Sequence, residues 1–343
     1  MRRKGGRPIS YDESILRRAR QRFEAKRTER RRTLEGRREN VYLRQPRLRE
    51  IEAELRKTSG QVLAAALRRG ADPRKAVEEL RERNLKLQEE KRTLLKKLHL
   101  SSDYLSEQPA CPLCQDSGYL DDGRMCQCLL DYCAQEQRKE LSKMLDLGAQ
   151  SFETFSLNWY SDRTDRKKKM SPRANMEGVY EDCVEYARQF GPGSGNLLFS
   201  GATGLGKTFL SAASAREVSA AGFSVVYDTA AHIFRQFEAE KFDREEGADR
   251  DVNRVLRCDL LILDDLGTEM RTAFTVSALY QIVNTRLIER RSTILNTNLT
   301  PSELSDRYSP QIASRIEGEY QILSFIGDDI RQLRKDHDGQ PPF

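Results

Sequence analysis

Five short apolar runs recur in the second half of the chain, and longer polar or amphipathic stretches separate them. In order, the runs are NLLFS, FSVVYD, DLLILDD, STILNTN and YQILSF. Short apolar runs that alternate with helical patterns are typical of parallel strands joined by helices. The sequence therefore predicts an α/β domain over residues 181–338, in which helices cover both faces of a parallel sheet.

The first hundred residues have a helical pattern instead. Leu48, Ile51 and Leu55 are spaced by three and four positions, and Gly60 and the sequence GADP at residues 70–73 interrupt this spacing. A second apolar stripe follows, formed by Val77, Leu80, Leu87, Leu94 and Leu98. Its spacing of seven also fits a coiled coil, but polar residues occupy the other seam positions and favour a short helix packed on its neighbour. We expect a small helical unit or hairpin over residues 46–105.

Charge is distributed unevenly along the chain. Residues 1–100 carry 31 Lys and Arg against 15 Asp and Glu, a net charge of +16, and the whole chain has only +6. This asymmetry indicates an anionic or acidic-faced partner for the first part. For residues 1–45, which have few periodic apolar positions, a solvated tail explains the charge equally well, and we expect a basic, flexible or marginally helical arm.

The chain lacks the patterns of membrane insertion and secretion. No run approaches 18 consecutive apolar residues, and the basic start MRRKGGRPIS is followed by charged residues. We therefore expect a soluble protein of the cytoplasm.

The sequence GATGLGKT at residues 201–208 fits the phosphate-binding pattern G-x-x-x-x-G-K-[ST], and it lies between a predicted strand and a predicted helix. Its glycines allow a tight turn that points backbone N–H groups at phosphate oxygens. Lys207 would reach the β and γ phosphates, and Thr208 would ligate Mg²⁺. A glycine-rich turn without a ligand is a much rarer explanation of this pattern in this context. We expect ATP to contact Gly201, Ala202, Thr203, Gly204, Leu205, Gly206, Lys207 and Thr208.

The run LLILDDLG at residues 260–267 is an apolar strand that ends in two acidic residues. In open α/β sheets ligands lie at the carboxyl ends of the strands, so this strand would bring Asp264 and Asp265 beside the phosphate-binding loop. Asp264 suits a contact to Mg²⁺ through water, and Asp265 suits the orientation of an attacking water molecule. Adjacent carboxylates repel each other unless a cation is near. The alternative is a helix cap or turn after the strand.

Five of the seven cysteines fall within 23 residues. In a reducing compartment such clustering indicates a metal site before disulfides. The spacing C-x2-C-x11-C-x-C makes Cys111, Cys114, Cys126 and Cys128 candidate ligands of a structural Zn²⁺. Because C-x-C is a tight spacing, Cys133 is an alternative to Cys126 or Cys128. Reduced free thiols are the second explanation, and a catalytic thiol is the third because no histidine is near.

The order of the motifs resembles that of the AAA+ ATPases. A strand, a phosphate-binding loop, an acidic strand and a strand with the polar end STILNTNL follow one another. Residues 150–335 are similar to bacterial replicative helicase loaders of the DnaC and DnaI kind and to transposition helpers of the IstB kind. The segment CPLCQDSGY to CQC, with its helical lead-in, resembles the amino-terminal part of DnaI-type loaders.

The resemblance implies further site residues. In the family a polar residue at the end of the fourth strand senses the γ-phosphate, which matches Asn298 in TNL, with Asn296 as a neighbouring alternative. The family's arginine finger matches ASRIEG and implies Arg315, and its second sensor arginine matches GDDIRQLRK and implies Arg331. A fixed guanidinium suits both roles because it stabilises charge on a transferring phosphoryl group. Without the resemblance, a surface ion pair is the simpler explanation for each arginine.

The resemblance also implies a function. The protein would be an ATPase that self-associates on a replicative DNA helicase and uses its ATP state to hold or release the helicase on single-stranded DNA. Residues 46–105 and a zinc knuckle at residues 106–135 would bind the helicase, and residues 136–180 would be a linker.

One amphipathic segment, residues 228–242, corresponds to a region that contacts single-stranded DNA in the loader and initiator branch of the family. Arg235, Lys241 and the nearby Arg244 fit such a contact, and several glutamates weaken it. Two functional alternatives remain: an IstB-like helper of DNA transposition, and a nucleotide-gated adaptor with negligible turnover. Asp264, Asp265 and Arg315 argue against the adaptor.

Overall fold

The computed structural model describes residues 11–67, 73–142, 150–164, 170–242, 248–337 and 340–341. The chain divides into two units. One comprises Gln21–Cys126, and the other combines Met1–Arg20 with Gln127–Phe343.

Long helices dominate the amino-terminal part of the chain. They are α1 (Glu13–Arg44), α2 (Pro46–Leu67) and α3 (Pro73–Lys97). α2 and α3 pack as an antiparallel pair, because Arg47 contacts Glu90 at 2.9 Å while Arg83 contacts Glu54 at 3.2 Å. α2 continues through Gly60, so the break predicted there is wrong. The predicted break at GADP begins at residues 70–72, which lie outside the described residues, as does the Val77 side chain.

The structure differs from the sequence prediction over the described part of residues 1–45, which begins at residue 11. Where a flexible or marginally helical arm is expected, Glu13–Arg44 forms one continuous helix. Leu34 and Val41 are buried on this helix. The Arg38 guanidinium donates to the Leu105 carbonyl at 2.8 Å, and the Arg37 guanidinium lies 5.7 Å from the ring centre of Tyr104. Arginine side chains, which hydrophobic periodicity counts as polar, therefore take part in the packing of α1.

The larger unit contains the sheet. Its strands are β1 (Asn196–Ser200), β2 (Val225–Thr229), β3 (Leu260–Leu266), β4 (Ser292–Thr297) and β5 (Tyr320–Ser324). Its helices are α4 (Gln127–Leu141), α5 (Pro172–Arg188), α6 (Lys207–Ala220), α7 (Ala230–Phe242), α8 (Ala248–Arg257), α9 (Ala273–Ile288), α10 (Pro301–Arg307), α11 (Pro310–Glu319) and α12 (Ile330–Asp336).

All strand pairs in the sheet are parallel, and the strand order is β2-β3-β4-β1-β5. The register pairs Leu198 with Leu295 and Leu263 with Leu295, so the three most apolar runs form the centre of the sheet. Parallel pairing places the carboxyl ends of β1, β3 and β4 at one edge. The predicted α/β fold with a helix-covered parallel sheet is confirmed.

Successive strand residues face two different hydrophobic cores. Leu197 and Phe199 of β1 pack with α5 and α6 on one face, and Leu198 packs with α7, α8, α9 and α11 on the other. Both faces are covered, which explains why the strands are continuous apolar runs and not alternating ones.

The helix α4 is fastened to the start of the edge strand β2. Gln137 is buried, and its amide nitrogen donates to the Phe223 carbonyl at 2.6 Å and to the Ser219 hydroxyl at 2.9 Å. Its amide oxygen accepts the Val225 N–H at 3.2 Å. A single side chain thus satisfies three polar groups at one end of the sheet.

The described parts of residues 136–180, which leave out 143–149 and 165–169, are more ordered than the linker that the sequence predicts. They include the end of α4, short 3₁₀ helices at Phe152–Thr154 and Leu157–Trp159, and the first half of α5. The aromatic side chains of Phe152, Trp159 and Tyr160 are buried in the core beside α5 and α6. Burial of these large apolar side chains explains why the segment packs onto the domain.

Within the described residues, none of the helices combines the length and the apolar character that crossing a bilayer requires.

A fully buried arginine ties α9 to its neighbours. The Arg286 guanidinium donates to Ser292 O at 2.6 Å, to Val255 O at 2.8 Å and to Thr293 Oγ1 at 2.9 Å. It also donates to the carbonyls of Leu256 and Cys258, each at 3.1 Å. The end of α8 and the start of β4 are therefore held by one side chain.

We predict that Arg286→Met destabilises the larger unit by about 3 kcal/mol or more, because several buried carbonyl groups lose their donor. The free energy of unfolding from chemical denaturation measures the effect. Arg257→Met, at an exposed position of α8, is the matched control and should change stability by less than about 0.5 kcal/mol. Equal effects of the two substitutions would contradict the proposed role of Arg286.

Candidate phosphate-binding and metal sites

The loop between β1 and α6 has the backbone that phosphate binding requires. Gly204 and Gly206 have φ angles of 74° and 90°, which favour glycine. A Cβ at Gly206 would lie 2.8 Å from the Tyr160 hydroxyl, and one at Gly204 would overlap the Asp329 carboxylate. Both positions therefore exclude side chains, and the loop leads directly into the N-terminus of α6 at Lys207.

The Lys207 ammonium group lies at the centre of the loop and is largely buried. It donates to the carbonyls of Gly201 and Ala202, each at 2.6 Å, and to Asn298 Oδ1 at 2.7 Å. Burial lowers the pKa of Lys207 to about 8, against the opposing charges of Asp264 and Asp265. The ammonium form therefore still predominates at neutral pH. Its three oxygen partners occupy the kind of position that phosphate oxygens take in a nucleotide complex.

The Asp264 carboxylate at the end of β3 is buried and accepts four hydrogen bonds. Oδ2 accepts the Thr208 hydroxyl at 3.0 Å and the Tyr227 hydroxyl. Oδ1 accepts the Asn296 amide at 2.9 Å and the Asp265 N–H at 3.0 Å. Thr208 and Asp264 are thus neighbouring oxygen ligands of the kind that Mg²⁺ prefers, and the site fits this ion.

Asp265 differs from Asp264 in exposure and backbone conformation. Its side chain is exposed at the cavity, and its φ is 54°, an uncommon value for an aspartate. A bulge in the pairing of β3 with β4 lies between Leu263 and Leu266. Partial burial and the adjacent Asp264 charge raise the pKa of Asp265 above its ordinary value. The second acid of the pair is therefore turned away from the hydrogen-bonded set around the first.

A cavity of about 380 Å³ connects these groups. Its walls include the loop residues 203–208, both acidic residues, Asn298 and Arg331. Asn296 is fully buried between Ser211 and Asp264, so of the two asparagines considered for γ-phosphate sensing it is Asn298 that reaches the cavity.

Arg315 lies elsewhere. Its guanidinium is 5.6 Å from the ring centre of Tyr280, between α11 and α9, and it is not among the residues that line this cavity. The structure therefore brings together every predicted phosphate-site residue except Arg315.

The other end of the cavity was not predicted from the sequence. It is lined by Phe155, Trp159 and Tyr160 from the segment before α5 and by Arg334 from α12. The Tyr160 hydroxyl donates to the Leu205 carbonyl at 2.9 Å, and the Arg334 guanidinium lies 5.3 Å from the Trp159 ring centre. An apolar, aromatic surface next to a phosphate site suits a nucleobase. The available signal was the aromatic density of SFETFSLNWY.

Four cysteines form a second candidate site. The sulfur atoms of Cys111, Cys114, Cys126 and Cys128 all lie within 4.8 Å of one another. This arrangement can hold one metal ion, and four thiolates are the ligand set of a structural zinc site. The Asp116 carboxylate accepts the N–H groups of Ala110 and Cys111 at 3.1 and 2.9 Å, and so orients the first ligand.

Cys133 does not belong to this cluster. It is fully buried among Tyr11, Ile15 and Ala19, and burial raises the pKa of its thiol to about 11. The four clustered sulfur atoms do not include that of Cys133, so the structure favours Cys126 and Cys128 over Cys133 as ligands.

The helix α7 uses its apolar residues for the core of the domain. Ile233, Phe234 and Phe237 are buried, and Arg235 is exposed. The Lys241 ammonium lies 5.7 Å from the ring centre of Phe274. Arg244, which the sequence suggests as a DNA contact, lies outside the described residues.

Comparisons with known proteins agree with this geometry. Residues 187–316 match the family of the IstB-like ATP binding protein. The chain is 26% identical to the replicative helicase loader DnaC of Escherichia coli (strain K12) over 177 residues, covering 45% of this chain and 72% of that protein. It is 30% identical to the uncharacterized protein YdaV of the same strain over 124 residues, covering 36% of this chain and 50% of that protein.

Among solved structures, the crystal structure of the DnaC helicase loader aligns with 19% identity and a TM-score of 0.43, covering 52% of this chain and 98% of that one. The region matched by the family contains the phosphate-binding loop, both acidic residues and Asn298. Residues 187–316 are therefore similar to the IstB-like ATP binding protein family, and the chain is similar to the DnaC helicase loaders over 177 residues.

Proposed function

We propose that this chain is an ATPase that loads a replicative DNA helicase onto single-stranded DNA. The observation that carries the proposal is the joint presence of a complete phosphate-binding site and of sequence similarity to a protein named as a replicative helicase loader. ATP state would control whether the helicase is held or released.

The proposed roles follow the positions of the side chains. Lys207 neutralises phosphate charge, and Thr208 and Asp264 hold Mg²⁺. Asp265 is exposed at the cavity with a raised pKa, which suits a group that orients an attacking water molecule. Asn298 senses the γ-phosphate with its side-chain amide, whose oxygen accepts a hydrogen bond from Lys207 in this structure. Arg331 approaches the phosphates from α12.

Arg315 is proposed to act on a neighbouring copy of the chain. It lies away from the cavity of its own subunit, which is the position an arginine finger needs if it completes the site of the next subunit. The proposal therefore includes a homo-oligomer in the ATP-bound state.

The helical region at residues 46–105 and the cysteine cluster are proposed to bind the helicase, and single-stranded DNA is proposed as the second partner. The antiparallel pair of α2 and α3 offers a rigid, charged surface for a protein contact. A helper role in DNA transposition is the second candidate, since the matching family is described as IstB-like.

The loader proposal predicts a nucleotide-dependent complex. The full chain should bind the replicative helicase of its own organism, and ATP should change the affinity by about tenfold, a usual size for coupling between two sites. Analytical ultracentrifugation with ATP, with ADP and without nucleotide measures this. Lys207→Ala is the control that should remove the nucleotide effect. Absence of binding in all three states, together with binding to a transposase, would favour the helper role.

The cysteine cluster predicts one zinc ion per chain. Cys111→Ser should lose the metal because three thiolates hold zinc much less tightly than four. Cys133→Ala is the matched control and should retain it, since that thiol is buried in a separate apolar cluster. Elemental analysis of protein purified without chelators measures the content. Zinc-free wild-type protein, or equal loss in both variants, would contradict this assignment.

The position of Arg315 predicts that active sites are shared. Arg315→Ala should keep the wild-type affinity for ATP and lower turnover by about 10³-fold. Lys207→Ala should lose ATP binding but retain a functional Arg315. Mixtures of the two variants with helicase and single-stranded DNA should therefore exceed the summed ATPase activity of the separate proteins. Mixtures that never exceed this sum would show that Arg315 acts within its own subunit or has no catalytic role.

A further inference from the structure

The Tyr227 hydroxyl is an unusual feature of the proposed magnesium site. Tyr227 lies on β2, where it pairs in register with Ile262, two residues before Asp264 on the neighbouring strand. The side chains of Tyr227 and Asp264 both face the α6 side of the sheet. The tyrosine ring is buried, and its hydroxyl donates to Asp264 Oδ2, the same oxygen that accepts the Thr208 hydroxyl.

In this hydrogen bond the Tyr227 hydroxyl is the donor, because an ionised carboxylate oxygen can only accept. Phenylalanine would fill the same space in the core without this donor. The hydroxyl therefore contributes a contact that apolar packing does not need.

The two other side-chain donors to Asp264 have different constraints. Thr208 is a proposed metal ligand, so its hydroxyl serves the carboxylate and the cation together. Asn296 is fixed by a second bond to Ser211 at 2.8 Å and holds the opposite oxygen, Oδ1. Tyr227 is therefore the donor that can hold Oδ2 in place independently of the cation.

We propose that Tyr227 is a positioning residue for magnesium binding: it fixes the orientation of the Asp264 carboxylate so that Oδ2 remains directed toward Thr208 and the metal. This inference rests on the proposed function, since it assumes that the cavity binds a magnesium nucleotide. Hydrogen bonds to a metal-ligating carboxylate hold that carboxylate in its orientation. Loss of such a bond typically weakens metal affinity or activity by about 10- to 100-fold.

The test compares two buried tyrosines that each donate to a buried carboxylate. Tyr227→Phe removes the hydroxyl from Asp264. Tyr308→Phe removes the hydroxyl that donates to Glu269 Oε1 at 2.5 Å, and Glu269 is not among the residues that line the cavity. Trp159 is the single tryptophan of the chain and lies in the cavity wall, so its intrinsic fluorescence reports nucleotide binding. ADP is titrated in EDTA and at a series of Mg²⁺ concentrations, and thermal unfolding is followed for each variant.

Tyr227→Phe should raise the Mg²⁺ concentration for half-maximal tightening of ADP binding by about tenfold, with little change of ADP affinity in EDTA. Tyr308→Phe should leave the Mg²⁺ dependence at the wild-type value. An unchanged midpoint in Tyr227→Phe, an equal shift in both variants, or a failure of Tyr227→Phe to fold would overturn the inference. If the wild-type chain itself shows no Mg²⁺-dependent ADP binding, the proposed ATP site is wrong.

Discussion

The Asp264 carboxylate accepts hydrogen bonds from four different elements of the domain, and it thereby links segments that are far apart in the sequence. Its hydrogen bonds come from α6, from β2, from β4 and from the backbone of β3 itself. Each of these elements must hold its register within a fraction of an ångström for the donors to meet on two oxygen atoms. The parallel sheet provides this register, because its strand ends are fixed side by side. The fold thereby fixes the orientation of the Asp264 carboxylate.

The same edge of the sheet balances opposite charges. Lys207 and Arg331 lie near Asp264 and Asp265, and burial disfavours the Lys207 ammonium while the acids favour it. Carbonyl oxygens and the Asn298 amide complete the environment of the lysine. A nucleotide can therefore exchange these partners for phosphate oxygens without leaving a buried charge unpaired.

Local sequence patterns predict the parts of the site that one short segment supplies. The phosphate-binding loop and the acidic pair belong to this class, because glycine spacing and a strand end determine the position of each residue. Phe155, Trp159 and Arg334 belong to another class, since tertiary packing brings distant segments to the same cavity. The exclusion of Cys133 from the metal cluster likewise depends on its burial against α1. The extent of helix α1 was underestimated because its buried apolar residues, such as Ile15, Ala19 and Phe23, are few among many charged ones, and because arginine side chains also take part in its packing.

The bond from Gln137 to the Val225 N–H also has a consequence for association. β2 is an outer strand, and outer strands expose backbone groups to which a strand of another molecule can add. The Gln137 amide oxygen accepts the first of these outward N–H groups, that of Val225, and the Gln137 amide nitrogen donates to Phe223 O just before the strand. These two bonds hold α4 against the start of β2. A helix that begins at the cysteine cluster thereby covers the start of this edge, so fragments of the domain that begin after α4 would be prone to aggregate through the exposed strand.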